Sequence, residues 1–131
     1  MHRPLRVLIC DDSLGFPTLL QTWLRDDGRF EVVGQAKGGE QAKELVSSET
    51  PDVIVLDLLL PDVPDPPTLV SDLRERHPGL RVLIISSLAS DLLEEAARSA
   101  NADGWCNKGA TATELTNQLY AVASSGEGAG T

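Results

Sequence analysis

With 131 residues, 41% of them hydrophobic and 24% charged, the chain has the composition of one globular domain with one core and no room for a second folded unit. Twenty acidic against eleven basic residues give a formal charge of −9, which repels a phosphate backbone, so nucleic acid is not an expected partner of this domain. No run approaches the roughly 18 apolar residues of a membrane span, and the opening MHRPLRVLICDD reaches carboxylates too early for a secretory leader, so a cytoplasmic protein without membrane contact is expected.

The first element in the chain is RVLIC (6–10), an apolar run without polar alternation, which reads as a strand buried on both faces of a parallel sheet. Phe16, Leu19, Leu20, Trp23 and Leu24 then recur at helical spacing, with Pro17 in the first turn, where a missing N–H is tolerated. FEVVGQA (30–36) is a second strand candidate, followed around 40–48 by the helix with the least marked apolar face. Pro51 breaks the chain before the strand DVIVLD (52–57); Leu69, Val70 and Leu73 mark the next helix, and Pro78-Gly79 precedes the strand RVLIIS (81–86). Leu92, Leu93, Ala96, Ala97 and Ala100 form a further helical face before the weaker strand GWCNK (104–108). Thr111 and Glu114 make a T-x-x-E capping box for a last helix carrying Leu115, Leu119 and Val122. Residues 1–124 are read as the domain and 125–131 as a flexible tail or linker. Strand and helix alternate five times, which predicts an α/β doubly wound parallel sheet with right-handed crossovers.

In such a sheet, ligands sit at the carboxyl ends of the strands. Those ends carry Asp11, Asp12, Asp57, Ser86, Ser87 and Lys108. Taken singly, an Asp after a strand is ordinarily a helix cap or turn residue. Together, three clustered carboxylates repel one another unless a cation sits among them. All-oxygen ligands with no thiolate or imidazole nearby suit Mg²⁺. Cys10 and Cys106 lack metal-type spacing and read as free thiols in apolar runs, and His2 and His77 are isolated and read as solvated. A carboxylate can attack phosphorus to form an aspartyl phosphate, and Mg²⁺, the Lys108 ammonium and the Ser86 hydroxyl would stabilise charge on the transferring group.

Asp57 lies 46 residues after Asp11, with Pro61 four further on; Ser86 follows Asp57 by 29 and Lys108 follows Ser86 by 22. This DD…D-x-x-x-P…S…K set resembles the receiver domain of two-component response regulators over about residues 4–124. The stretch ANADGWCNKGATATEL with the following AVASSGE is most similar to receivers of NarL/LuxR-type regulators. The resemblance implies a flavodoxin-like (βα)5 fold with strand order 2-1-3-4-5. It implies Asp57 as phosphoacceptor and metal ligand, Asp12 binding Mg²⁺ directly, Asp11 acting through metal-bound water, and the Leu59 carbonyl as a further ligand. Lys108 would contact the phosphoryl group, Ser86 would swing toward it, and Ser87 would be the small residue leaving it room. Trp105 takes the place of the aromatic switch residue, and the elements at roughly 89–100 and 111–124 form the signalling and dimerisation face.

The partners so implied are a sensor histidine kinase or phosphotransfer protein as phosphohistidine donor, an output domain or effector protein, and a second copy of the chain on phosphorylation. Catalysis extends only to the domain's own phosphorylation and dephosphorylation. Output through a C-terminal DNA-binding domain beyond these residues is the favoured reading. A stand-alone receiver that docks on another protein, or a phosphorylation-independent interaction module, is the alternative. Four positions depart from the family pattern: Asp65 stands where glycine is usual, Trp105 where Tyr or Phe is, Gly109 where proline is common, and Leu59 is apolar. Asp65 predicts an altered path for the loop after the third strand. An aspartyl-phosphate hydrolase of the haloacid dehalogenase type would need a second Asp at position 59. A flavodoxin-like FMN site would need a Ser/Thr/Gly-rich loop where DDSLGF stands.

Overall fold

The computed structural model describes residues 3–129, with side chains through Ser124. Five strands, β1 (Leu5–Cys10), β2 (Phe30–Ala36), β3 (Val53–Asp57), β4 (Arg81–Ser86) and β5 (Gly104–Asn107), alternate with five helices. These are α1 (Phe16–Asp27), α2 (Gly39–Glu49), α3 (Pro66–Arg76), α4 (Ser90–Ser99) and α5 (Ala112–Ala129). Every strand pair is parallel and the spatial order is β2-β1-β3-β4-β5, the doubly wound order expected. The order reverses between β1 and β3, so their carboxyl ends flank the crevice where such sheets bind ligands.

The strands lack polar alternation because both faces are covered. Successive side chains point to opposite sides of a strand. Leu8, Cys10, Ile54, Leu56, Val82 and Ile84 therefore pack with Ala42, Val46, Leu69, Val70, Leu73, Leu93 and Ala97 of α2, α3 and α4. Val7, Ile9, Val53, Val55, Leu83 and Ile85 meet Leu20 and Leu24 of α1 and Leu115, Leu119 and Val122 of α5 on the other side. Each such Leu, Ile or Val contributes about 1.5–3 kcal/mol on burial. The faint apolar face of α2 is explained by its small buried residues, Gly39 and Ala42 with Val46.

Two expected core residues lie elsewhere. Leu19 is 46% exposed and Leu92 53% exposed. Each is adjacent in sequence to a fully packed leucine, Leu20 and Leu93, and one residue is a rotation of about 100° around a helix, enough to carry a side chain to the rim of the apolar stripe. Cys10 is buried, and burial, reinforced by Asp62 and the other nearby carboxylates, pushes its thiol up to about 12. Cys106 is only half-buried. His2 lies outside the described residues. The tail expected over 125–131 falls where side chains, and at 130 and 131 also the backbone, lie outside them. No helix among the described residues is long and apolar enough to cross a membrane.

Local chemistry fixes the element ends. The capping box at α5 is reciprocal: Thr111 N–H donates to Glu114 Oε1 at 3.2 Å and Glu114 N–H donates to Thr111 Oγ1 at 3.1 Å. The loop after β3 is seated on the start of α2, where Gly39 N–H donates to both oxygens of Asp62 at 3.0 Å. A carboxylate there is favoured by the positive end of the helix dipole. The approach is close enough that a Cβ on Gly38 would lie 2.7 Å from Asp62 Oδ2, and one on Gly39 2.7 Å from Val63 Cγ2. Asp65 occupies the N-cap position of α3 at φ −133°, a conformation that needs no glycine, and its carboxylate accepts from Thr68 Oγ1 at 2.6 Å.

At the far end of α1, Asp27 accepts from Arg29 Nε at 2.7 Å and Nη2 at 2.9 Å, and the same guanidinium lies 4.6 Å from the Tyr120 ring centroid, tying the α1–β2 turn to α5. The Arg29 hydrogen bonds hold the Asp27 carboxyl below its ordinary value of 3.8 against a smaller opposing effect of burial. A depressed folded-state value means that the stabilisation is present above the ordinary carboxylate value and is lost as pH falls through the folded one. Urea unfolding of the wild type and Asp27→Asn should therefore show the variant less stable at pH 7, with the gap closing toward pH 3. A gap independent of pH would show that the pairing is not what is lost.

Candidate phosphoacceptor and metal site

Backbone register alone places the polar residues in one line. Cys10 pairs with Leu56, so Asp11 and Asp57, the next residues of adjacent strands, emerge side by side. Asp57 pairs with Ile85, which sets Ser86 beside it; Ser86 in turn pairs with Asn107, and Lys108 N–H donates to the Ser86 carbonyl at 2.9 Å.

Asp11 and Asp57 are 2% and 7% exposed, whereas Asp12 is exposed. One carboxylate oxygen from each of the three lies within 4.8 Å of the others. Lys108 Nζ bridges the buried pair, 2.9 Å from Asp11 Oδ2 and 3.2 Å from Asp57 Oδ2. Ser13 donates to Asp11 Oδ1 through its N–H and its hydroxyl, both at 2.7 Å, and Leu59 N–H donates to Asp57 Oδ1 at 3.1 Å. Burial pushes the Asp11 carboxyl up, but Lys108 and the two Ser13 donors together outweigh it and hold the group below its ordinary value. Burial likewise pushes Lys108 down, and its two carboxylate partners more than reverse this. Both residues are charged at neutral pH.

These residues fit an oxygen-ligated divalent cation. Asp11 Oδ2 is buried yet receives no aligned hydrogen bond, because the Lys108 contact at 2.9 Å is an ion pair outside hydrogen-bond geometry. Mg²⁺ holds its ligands at 2.0–2.1 Å in an octahedron, which spaces its oxygens roughly 3–4 Å apart. The three carboxylates gather to within 4.8 Å, near that spacing, and the exposed Asp12 leaves one side open to the waters that Mg²⁺ retains.

The other expected site residues are placed differently. Ser86 is buried, and its hydroxyl accepts from Leu88 N–H at 3.2 Å. Ser87 is exposed, and the Leu59 side chain is 59% exposed at the rim. Trp105 is half-buried against the core on the α4 side, with the Arg98 guanidinium 5.8 Å from its ring centroid. Sequence reasoning missed Ser13, whose place two residues after Asp11 is the spacing of an Asx turn. It also missed the Asp62 clasp on α2, for which the Gly38-Gly39 pair is the only local sign, and the ring of Phe16 beside Lys108.

The family model for the response regulator receiver domain matches residues 7–120. Protein-glutamate methylesterase/protein-glutamine glutaminase 3 of Myxococcus xanthus is 39% identical over 89 residues, which are 68% of this chain and 24% of that protein. The transcriptional regulatory protein DegU of Brevibacillus brevis is 30% identical over 122 residues, 93% of this chain and 51% of that protein. The chain thus spans between a quarter and a half of the length of these relatives. Among solved structures, the signal receiver domain of the response regulator NarL from Mycobacterium tuberculosis superposes with a TM-score of 0.81 at 29% identity, covering 93% of this chain and 98% of that one. With the family match extending from β1 into α5 and the sheet order in agreement, the chain belongs to the response regulator receiver domain family.

Proposed function

We propose that this domain accepts a phosphoryl group on Asp57 from the phosphohistidine of a sensor histidine kinase or phosphotransfer protein, in a Mg²⁺-dependent reaction, and so controls an output through the surface of α4 and α5. The observation that carries this reading is the buried Asp11–Asp57 pair bridged by Lys108, with Asp12 alongside. A merely structural aspartate at a strand end needs only local backbone donors, such as those Asp11 and Asp57 receive from Ser13 and Leu59, and has no need of a second buried carboxylate beside it. Here two buried carboxylates and a third are gathered where a phosphoryl group can reach them.

In the transfer, an Asp57 carboxylate oxygen bonds to phosphorus as the P–N bond to the donor imidazole breaks, and the electron pair stays on the departing nitrogen. Leu59 N–H fixes Asp57 Oδ1 and so orients the carboxylate, leaving Oδ2 toward Lys108. Lys108 then pairs with an oxygen of the transferred group. Mg²⁺, when bound by Asp11, Asp12, Asp57 and the Leu59 carbonyl, would supply positive charge to the transferring oxygens. The Ser86 hydroxyl leaves Leu88 N–H for the phosphoryl group, Ser87 leaves space for it, and Trp105 follows into the volume vacated. A second copy of the chain is the expected partner of the modified face.

Transcriptional control through a DNA-binding domain is favoured as output because the likeness to DegU runs over 93% of the chain. Gating of a methylesterase-type effector is the second reading, favoured by the 39% identity to the Myxococcus protein. In either case the domain's own chemistry is confined to gaining and losing its phosphoryl group.

Incubation with acetyl phosphate and Mg²⁺ should add one phosphoryl group to the intact mass of the wild type and none to Asp57→Asn, with the gain abolished by a chelator. A folded protein that gains nothing from acetyl phosphate or from a phosphorylated kinase would be an interaction module instead. The apolar Leu59 should also hinder the water that hydrolyses the aspartyl phosphate. Leu59→Asn is expected to shorten its lifetime by roughly 2- to 10-fold, the range one net hydrogen bond to that water supplies. An unchanged lifetime rules out that role for Leu59.

A further inference from the structure

We propose that Phe16 is a positioning residue for phosphoryl transfer, its ring face holding the Lys108 ammonium over the acidic pocket; this rests on the phosphoacceptor reading of Asp57. Lys108 Nζ lies 5.2 Å from the Phe16 ring centroid, within the range in which a cation is drawn to the negative face of an aromatic ring. The ring is itself braced. Trp23, two turns along α1, meets it edge-on at 6.5 Å between centroids and 87° between planes, and both pack against the α1/α5 core. Pro17, in the first turn of α1 and buried, fixes the backbone that presents it.

The need for such a brace follows from what else holds Lys108. A lysine side chain has four rotatable bonds and three donors on a compact charge. Its two ionic partners are Asp11 and Asp57, and both are altered by the reaction proposed above. Asp57 gives an electron pair to phosphorus, and Asp11 belongs to the cation site. An ammonium anchored only to those groups has no partner that stays unchanged while it passes from the carboxylates to the oxygens of the transferred group. The attraction of the ring is unaffected by either change, so Phe16 keeps the charge near the incoming oxygens from the free state through transfer. It also covers part of an ammonium that would otherwise face water.

Phe16 acts through Lys108, so the test must separate ring electrostatics from ring shape. Four forms of the full chain are compared: wild type, Phe16→Tyr, Phe16→Leu, and a protein with 3,4,5-trifluorophenylalanine at position 16, which keeps the shape of the ring while removing most of its negative face. Proton NMR of Lys108 reports the contact without phosphorylation. Its Hε resonances should be displaced upfield by the ring current in the wild type and Phe16→Tyr, and should return to the position of an exposed lysine in Phe16→Leu. The rate of phosphorylation by acetyl phosphate with Mg²⁺ should fall about 3- to 10-fold in Phe16→Leu and in the trifluorinated protein, and stay within about twofold in Phe16→Tyr, at matched melting temperatures. Undisplaced Lys108 resonances in the folded wild type, or a trifluorinated protein as fast as the wild type, would overturn the inference while leaving the phosphoacceptor reading intact. A wild type that takes no phosphoryl group overturns that reading and this inference with it.

Discussion

The electrostatic conflict at the carboxyl edge of the sheet governs the rest of the molecule. Asp11 and Asp57 are buried within 5 Å of each other. Two charges at that spacing repel by roughly 3 kcal/mol at an effective dielectric constant near 20, while each Lys108 contact at about 3 Å returns roughly 5 kcal/mol. Lys108 therefore compensates the buried pair. It does not compensate Asp12 as well, and three carboxylates with one ammonium leave the pocket two negative charges in excess. A divalent cation would close that deficit, which is the electrostatic reason the proposed reaction calls for one.

That arrangement depends on register more than on side-chain packing. Asp11, Asp57, Ser86 and Lys108 come from four different strand ends, and they meet because β1, β3, β4 and β5 are parallel and paired without slippage over the last turns of the ladder. The irregularity among these pairings lies between Val7 and Leu8, on the β2 side and away from the site. A one-residue slip between β1 and β3 would turn every core residue of one strand to the wrong face. The two hydrophobic layers that read as unbroken Val/Ile/Leu runs therefore fix the position of the polar edge to within a residue.

This accounts for what could and could not be read from the sequence. Strand runs buried on both faces are conspicuous, and the residue that ends each one is marked by the break in apolarity; hence Asp11, Asp57, Ser86 and Lys108 were legible, as was the Thr111–Glu114 cap. Leu19 and Leu92 were misplaced because apolar periodicity marks a stripe and does not locate its edges. The Asp62 clasp on α2 was hidden because it joins residues 23 apart in sequence through a backbone N–H, a donor that every non-proline residue has. Phe16 was read as a core residue, and its contact with Lys108 spans almost the whole chain. Asp65 stands at the N-cap of α3 at a φ of −133°, a backbone that asks for no glycine, so the sequence alone does not show which element it serves.

The hydrogen bonds around Ser86 suggest how chemistry at Asp57 reaches the surface. Ser86 Oγ accepts from Leu88 N–H, and the Leu88 carbonyl accepts from Asn107 Nδ2 at 2.8 Å, so one loop residue is tied to the ends of both β4 and β5. In the proposed reaction Ser86 turns to the phosphoryl group, which removes one of these ties and frees the loop that begins α4. Helix α4 also carries Arg98, which lies over Trp105 and is paired with Glu94 at 2.7 Å. A shift of α4 therefore cannot leave Trp105 untouched: the ring must move with the guanidinium or lose it. In the proposed reaction, a movement of α4 would thus be felt at Trp105 through Arg98.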